Sequence, residues 1–265
     1  MGGRFFRLGN ALITYALALF IVATVGAVLV RGVPGIPAAL KSPELLFALR
    51  LSLFTSLVST VLAFFVALPA AYSLARGNLP GGKIVADLLR IPLNLPPIAS
   101  GVALLLFFGT TRWGRALANL GLEFVFTVPG IILAQFFVNV PALITVLKGA
   151  LETTDQRLEN VARTLGCTPA QAFLRVTLPL IRNSVLAGLI LTWGKALGEF
   201  GAVLMLAGAT RFKTETLPVS LYLSLATGDL EALLATASLL ILIALFSLAM
   251  FERARIKLDE RGTIL

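Results

Sequence analysis

The sequence predicts an all-α integral membrane protein: one domain over residues 1–265, six transmembrane helices, and a short amphipathic helix on the cytoplasmic face. Three observations carry this. The 265 residues are 58% hydrophobic and 13% charged, with a mean hydropathy of +0.94. A soluble domain carries about 25% charged residues, and a water-soluble core could not hide so much apolar surface. Second, six separate stretches are apolar over about 20 residues, the length a helix needs to cross the hydrocarbon core. Third, Lys and Arg fall between these stretches rather than in one solvated patch.

The same composition excludes a soluble enzyme, a disordered chain and a collagen-like chain. There is no His, which removes imidazole acid–base chemistry and His metal ligands. The single Cys, Cys167, cannot form an internal disulfide or a Cys-rich metal site. The net charge of +9 is explained by juxtamembrane Lys and Arg, so membrane lipid and not nucleic acid is the expected surrounding.

The first span covers about 11–30 and carries no charge. Arg4 and Arg7 resemble the start of a signal peptide, but the apolar run is too long and no small-residue cleavage site follows, so it reads as an uncleaved helix. The second span covers about 51–74. The third, about 91–108, is interrupted by Pro92, Pro96 and Pro97. The fourth, about 128–147, holds Pro129 and Pro141. The fifth, about 185–206, contains Lys195 and Glu199, and the sixth, about 232–251, is charge-free. With six spans the termini share a side. That side collects 14 Lys and Arg, from Arg4 to Arg261, against 7, from Arg31 to Lys213, on the other, with Lys195 inside a span. Both termini are therefore expected in the cytoplasm of a multi-pass protein of the cell (inner) membrane. The tail from Glu252 reads as a solvated helix end.

The longest cytoplasmic connection, 148–182, differs from the spans. Thr153, Thr154 and Asp155 are helix-start residues. Leu158, Val161, Ala162 and Leu165 then recur at helical spacing. Gly166 suits a left-handed helix end. Thr168 and Pro169 open a second helix, and Leu178-Pro179 is expected to close it before the fifth span. This is a helix, a Gly turn and a helix across the cytoplasmic face. It serves either as a linker resting on the membrane or as a docking element for a cytoplasmic partner.

The segment resembles the "EAA" loop of ABC-importer permeases: Glu-Ala-Ala, three residues, Gly, nine residues, then Ile-x-Leu-Pro. Ala162 matches the second Ala, Gly166 follows after Arg163, Thr164 and Leu165, and Val176-Thr177-Leu178-Pro179 stands at the later position. Asn160 and Val161 depart from the Glu and the first Ala, and Glu159 lies one residue early. The resemblance extends to Ser73-Leu74-Ala75-Arg76 with Leu79-Pro80-Gly81-Gly82-Lys83, and to the Pro-rich stretch from Ile91 to Gly101. Gly198-Glu199-Phe200-Gly201-Ala202 and Thr214 to Pro218 look most like molybdate, tungstate and sulfate permeases.

That resemblance implies the type I ABC-importer permease fold and a non-catalytic transport subunit. Its partners would be a dimer of cytoplasmic ABC ATPase subunits, a second permease subunit expected to be identical, and an extracytoplasmic substrate-binding protein. This chain would hold no cofactor or metal and have no catalytic residue, ATP and Mg being used by the ATPase. It also implies that Glu159, Ala162, Arg163, Thr164, Leu165, Gly166, Cys167, Thr168, Leu178 and Pro179 form the ATPase-coupling element. Cargo would be an oxyanion, molybdate or tungstate before sulfate. The same scaffold carries thiamine, ferric iron or polyamines elsewhere. An intramembrane enzyme would need a catalytic constellation, yet the spans hold no His and only Lys195 and Glu199 as deep charges, and a channel or ion-coupled transporter leaves the loop unexplained.

Two further readings concern charge. Gly77 to Lys83 nearly spells a phosphate-binding loop, but Ile84 stands where a Mg-holding Ser or Thr belongs, so a surface turn is expected. In the fifth span, Lys195 and Glu199 are four apart, about 15 and 21 Å along a straight helix from Val185. They are expected to share a face and pair or bond between helices; the alternative is that Lys195 offers its charge to an oxyanion. Asn94, Ser100, Gln135 and Asn139 are the other intramembrane polar groups, lining a pathway or bonding between helices.

Overall fold

A computed structural model describes the backbone over residues 2–77 and 79–262 and the side chains over 6–77 and 79–253. The side chains of Arg4, Arg255, Lys257 and Arg261, Asn78 in the Gly77–Lys83 turn, and the last residues of the tail lie outside the described residues.

The first helix, α1 (Gly2–Gly32), runs through a 3₁₀ turn, Val33–Gly35, into the short α2 (Ile36–Ala39). From Phe6 to Thr24 every residue is exposed. It is held near its end, where the Ser238 hydroxyl donates to the Val28 carbonyl at 3.3 Å. Next comes α3 (Pro43–Ala75), starting earlier than the hydropathy predicts because Ser42 caps it, accepting from the Leu45 N–H, with Pro43 in its first turn. It buries a stripe of small residues at helical spacing: Ser52, Ser56, Ser59, Ala63, Ala67 and Ala71. Lipid tails are as apolar as Leu, so helices in a bilayer gain from close backbone approach more than from burial. This stripe admits α8 (Val128–Glu152), whose Leu143, Ile144, Leu147 and Leu151 pack on it together with Ile181 and Val185.

Between α3 and α8 the third predicted span is a bent pair. Residues Gly82–Asn94, comprising α4 (Gly82–Leu89) and α5 (Ile91–Asn94), turn by 110° into α6 (Pro97–Thr110). The expected helix over 91–108 is therefore corrected. Leu95 is extended (ψ 139°) because the residue before a proline avoids helical geometry, and Pro96 and Pro97 supply no N–H. The helix restarts at Pro97. An outer helix, α7 (Arg112–Asn119), carries the exposed Trp113, in keeping with an interfacial anchor. The Gly81 turn is left-handed (φ 67°) and opens the amphipathic α4, as a surface turn requires.

After α8 come α9 (Gln156–Thr164), α10 (Pro169–Ala172), α11 (Leu178–Leu197), α12 (Gly201–Ala207), α13 (Leu217–Thr227) and α14 (Leu230–Gly262). The fifth predicted span, 185–206, is corrected in two ways. The apolar helix begins well upstream, running continuously from Pro169 to Leu197, and it ends before Gly198. The last predicted residues form the separate α12. Five helices are long and apolar enough to cross a membrane, six if the bent pair counts as one span. The connection before α14, expected to be an outer loop, contains α13, where the Tyr222 ring packs on Phe200 with centroids 5.6 Å apart.

The start of α14 touches the end of α1, since a Cβ on Gly32 would collide with the Leu234 carbonyl and the Ser238 hydroxyl. The chain of α1 runs toward this contact and that of α14 away from it, so both helices extend from the same side of it.

Helices α6 and α12 pack closely. A Cβ on Gly101 would sit 2.7 Å from the Ala202 Cα and 2.7 Å from the Met205 Cβ. Gly101→Ala should cost about 1–3 kcal/mol through overpacking, read as a lower thermal midpoint of the detergent-purified protein. An unchanged midpoint would mean that the two helices separate freely.

Candidate functional site

The connection from α8 to α11 is built from local signals. The Asp155 carboxylate accepts the Arg157 N–H at 2.9 Å and starts α9. At the other end the Gly166 N–H donates to the Arg163 carbonyl and the Cys167 N–H to the Ala162 carbonyl, each at 3.1 Å. This Schellman ending requires the left-handed φ of 94° that Gly166 adopts. Thr168 then forms a capping box with Gln171: its hydroxyl accepts the Gln171 N–H at 3.3 Å, and its own N–H donates to the Gln171 side chain at 3.0 Å.

Leu178 and Pro179 do not close this unit, a second correction. The residues Phe173–Thr177 form a π turn that leads directly into α11, with Pro179 in its first turn. A π turn tolerates the missing proline donor, so α10 and α11 form one continuous helix from Pro169 to Leu197.

What fixes the loop to the bundle is a buried ion pair. Glu159 faces inward beside Ala162, and its carboxylate accepts from the Tyr72 hydroxyl at 2.8 Å and from the Arg76 Nε at 3.0 Å. The Arg76 and Glu159 side chains are 5% and 7% exposed. Arg76 Nη2 also donates to the Glu159 carboxylate, and Nη1 donates to the carbonyls of Leu151 (3.1 Å) and Thr154 (3.4 Å) at and just past the end of α8. One guanidinium thus joins α3, α8 and α9. The Tyr72 ring also meets the edge of Phe173, with centroids 4.9 Å apart. Burial pushes the Glu159 carboxyl up, but the hydrogen bond from Tyr72 and the bonds and charge of Arg76 outweigh it and hold the carboxyl below its ordinary value.

The outward face is apolar. Leu158, Val161 and Leu165 are exposed, Leu165 by 81%. Arg163, Thr164, Gly166 and Thr168 share this surface and Cys167 is half-buried beside them. Of the four residues that set the helical spacing, only Ala162 turns into the bundle. Sequence reasoning missed Tyr72 and Arg76 as the partners of Glu159. The available signal was a cation at the end of one span and a carboxylate on the small-residue face of the loop helix.

The intramembrane polar groups separate. Asn94 is exposed at the bend after α5. Ser100, Gln135 and Asn139 are buried, and the Asn139 amide donates to the Gln135 carbonyl at 2.8 Å, a bond within α8. The Ser100 hydroxyl and the Gln135 side-chain oxygen have no hydrogen-bond partner among the described residues. Lys195 and Glu199 do not share a helix face, which corrects the expected pairing. The helix ends at Leu197, and the Glu199 carboxylate accepts the Ala202 N–H at 3.0 Å, capping α12 instead. Among the described residues the ion pairs are Arg76–Glu159, Arg90–Asp87 and Lys148–Glu152.

A family model described as "Binding-protein-dependent transport system inner membrane component" matches residues 61–255. The molybdenum transport system permease protein ModB of Mycobacterium tuberculosis is 38% identical over 225 residues, covering 84% of this chain and 85% of that protein. The sulfate transport system permease protein CysW of Synechocystis is 34% identical over 223 residues, covering 84% and 81%. Among solved structures, a bacterial ABC transporter involved in import of the acidic polysaccharide alginate superposes with a TM-score of 0.71 at 19% identity, covering 95% of this chain and 96% of that one. The inward-facing MetNI methionine ABC transporter gives 0.59 at 17% identity, covering 81% and 98%. At these identities the two structures establish the fold.

Proposed function

Because the chain belongs to the family of binding-protein-dependent transport system inner membrane components, and so is a non-catalytic permease subunit of an ABC importer, we propose that it carries an oxyanion, molybdate or tungstate before sulfate. The cargo reading is supported by relatives named for molybdenum and sulfate transport at 38% and 34% identity. Two permease subunits, taken to be identical, form the pathway, because two-fold pairing is the commonest assembly. Cytoplasmic ATPase subunits bind ATP and Mg, and an extracytoplasmic binding protein delivers cargo to the end opposite the α8–α11 loop. Both termini then lie in the cytoplasm.

The observation that carries the coupling role is the exposed ridge of Leu158, Val161 and Leu165 on a helix whose other face is pinned by Glu159 and Arg76. An apolar helix face seats in a groove of a partner, here the ATPase. Closure of the ATPase dimer moves the ridge, and the continuous rod from Pro169 to Leu197 passes that motion to the membrane. Transport is alternating access, driven by ATP binding one arrangement better than the other.

The test is import by the permease–ATPase complex in proteoliposomes, supplied with its binding protein. Molybdate should enter only with ATP. Calorimetric titration of the binding protein should show molybdate and tungstate bound and sulfate weaker. Binding of thiamine, ferric iron or a polyamine in their place would return the cargo assignment to another branch of the family while leaving the coupling intact.

A further inference from the structure

Two breaks in membrane helices meet inside this bundle. The first is the extended Leu95–Pro96 segment before α6, and the second is Gly198–Phe200 between α11 and α12. They touch: a Cβ on Gly201 would lie 3.0 Å from the Pro97 Cβ and 3.0 Å from the Ile98 N and Cγ1. From Pro97 to Thr110, α6 is 14 residues long, about 21 Å at the α-helical rise. The junction therefore lies well inside a hydrocarbon core about 30 Å thick. Unwound backbone at that depth is tolerated where it is covered by protein or lines a water-filled cavity, and such breaks recur where transporters hold their cargo.

Lys195 lies one turn before the second break. It is exposed, whereas the following Ala196 and Leu197 are buried. Glu199, the nearest carboxylate in sequence, accepts the Ala202 N–H of α12 and forms no ion pair with Lys195 among the described residues. A cation facing lipid at this depth is costly, so such a group faces a water-filled path or a partner subunit.

Resting on the permease reading above, we infer that Lys195, exposed one turn before the second unwound segment, is the cation that the translocating oxyanion encounters in mid-membrane. An ammonium suits this role. It is a compact charge with three rotatable donors and no fixed fork, so it attracts an oxyanion without holding it in one geometry. A transit site must bind well enough to admit its cargo and weakly enough to release it.

The experiment uses the full permease–ATPase complex with its binding protein in proteoliposomes, with molybdate and, in parallel, sulfate as probes. Lys195→Met should slow ATP-dependent import by about tenfold or more, because a unit charge is removed from a low-dielectric path. ATP hydrolysis stimulated by the binding protein should stay within about twofold of wild type, since the coupling loop is untouched, and Lys195→Arg should restore most of the import. Wild-type import by Lys195→Met would overturn the inference and leave the permease reading standing. Equal loss of import and of stimulated hydrolysis, with no rescue by Arg, would also overturn it, marking Lys195 as a structural group at the end of α11. Failure of the wild-type complex to move either oxyanion would overturn both readings together.

Discussion

Replacing Arg76 by Met should detach the coupling helix from the bundle and abolish ATP-driven transport while leaving membrane insertion intact. Breaking a buried pair by removing one partner costs about 3–5 kcal/mol, because the surviving charge is left without compensation. Here that charge is Glu159, 5% exposed as a residue and otherwise bonded to Tyr72 at 2.8 Å. The loss goes beyond the pair, since Arg76 also donates to the carbonyls of Leu151 and Thr154 at and just past the end of α8. Amide hydrogen exchange should rise over residues 156–172 and remain low in the spans. The double variant Arg76→Met, Glu159→Leu should recover part of the protection, since an apolar pair leaves no buried charge. Unchanged exchange in Arg76→Met would mean that the loop is held by its apolar contacts alone.

The pH dependence follows from the same contact. The Glu159 carboxyl is held below its ordinary value of 4.5. A carboxyl whose folded value is depressed contributes stability above its unfolded value, and that stability is lost as pH falls through the folded one. Protection of the loop should therefore be flat between about pH 6 and 8 and weaken only below about pH 4.

Gly166→Val should also eliminate transport, through the backbone rather than through a clash. Nothing lies within 4 Å of a Cβ built on Gly166, but its φ of 94° is one that side-chain-bearing residues rarely adopt. A β-branched residue there costs about 1–3 kcal/mol of local strain. Relief of that strain would break the bonds from Gly166 and Cys167 to Arg163 and Ala162, and the ridge carrying Leu165 would lose its position. Import in proteoliposomes should fall by about tenfold or more while expression and insertion stay normal. Gly166→Asn should be milder, because Asn tolerates left-handed backbone better than other residues. Normal import by Gly166→Val would show that the turn geometry is not part of coupling.

Much of this protein is determined by local sequence. Apolar runs of bilayer length set where the spans lie, because in lipid every backbone group must be satisfied within a helix. The caps of the coupling loop were legible for the same reason: Asp155, Gly166, Thr168 and Pro169 act on neighbours within a few residues. What only the tertiary structure decided depends on groups distant in sequence or competing at close range. Arg76 reaches Glu159 across 83 residues, a pairing that no periodicity encodes. The spacing of Lys195 and Glu199 fits a helix face, yet Glu199 caps α12 where Gly201 lets α6 approach. The prolines at 96 and 97 signalled a disturbance, but whether it would be a kink or a 110° turn depended on the packing of α6 against α12. Hydropathy measures the length of apolar chain a bilayer accepts. It carries no information on where that chain unwinds, because unwinding is stabilised by whichever backbone and side-chain partners the assembled helices bring together.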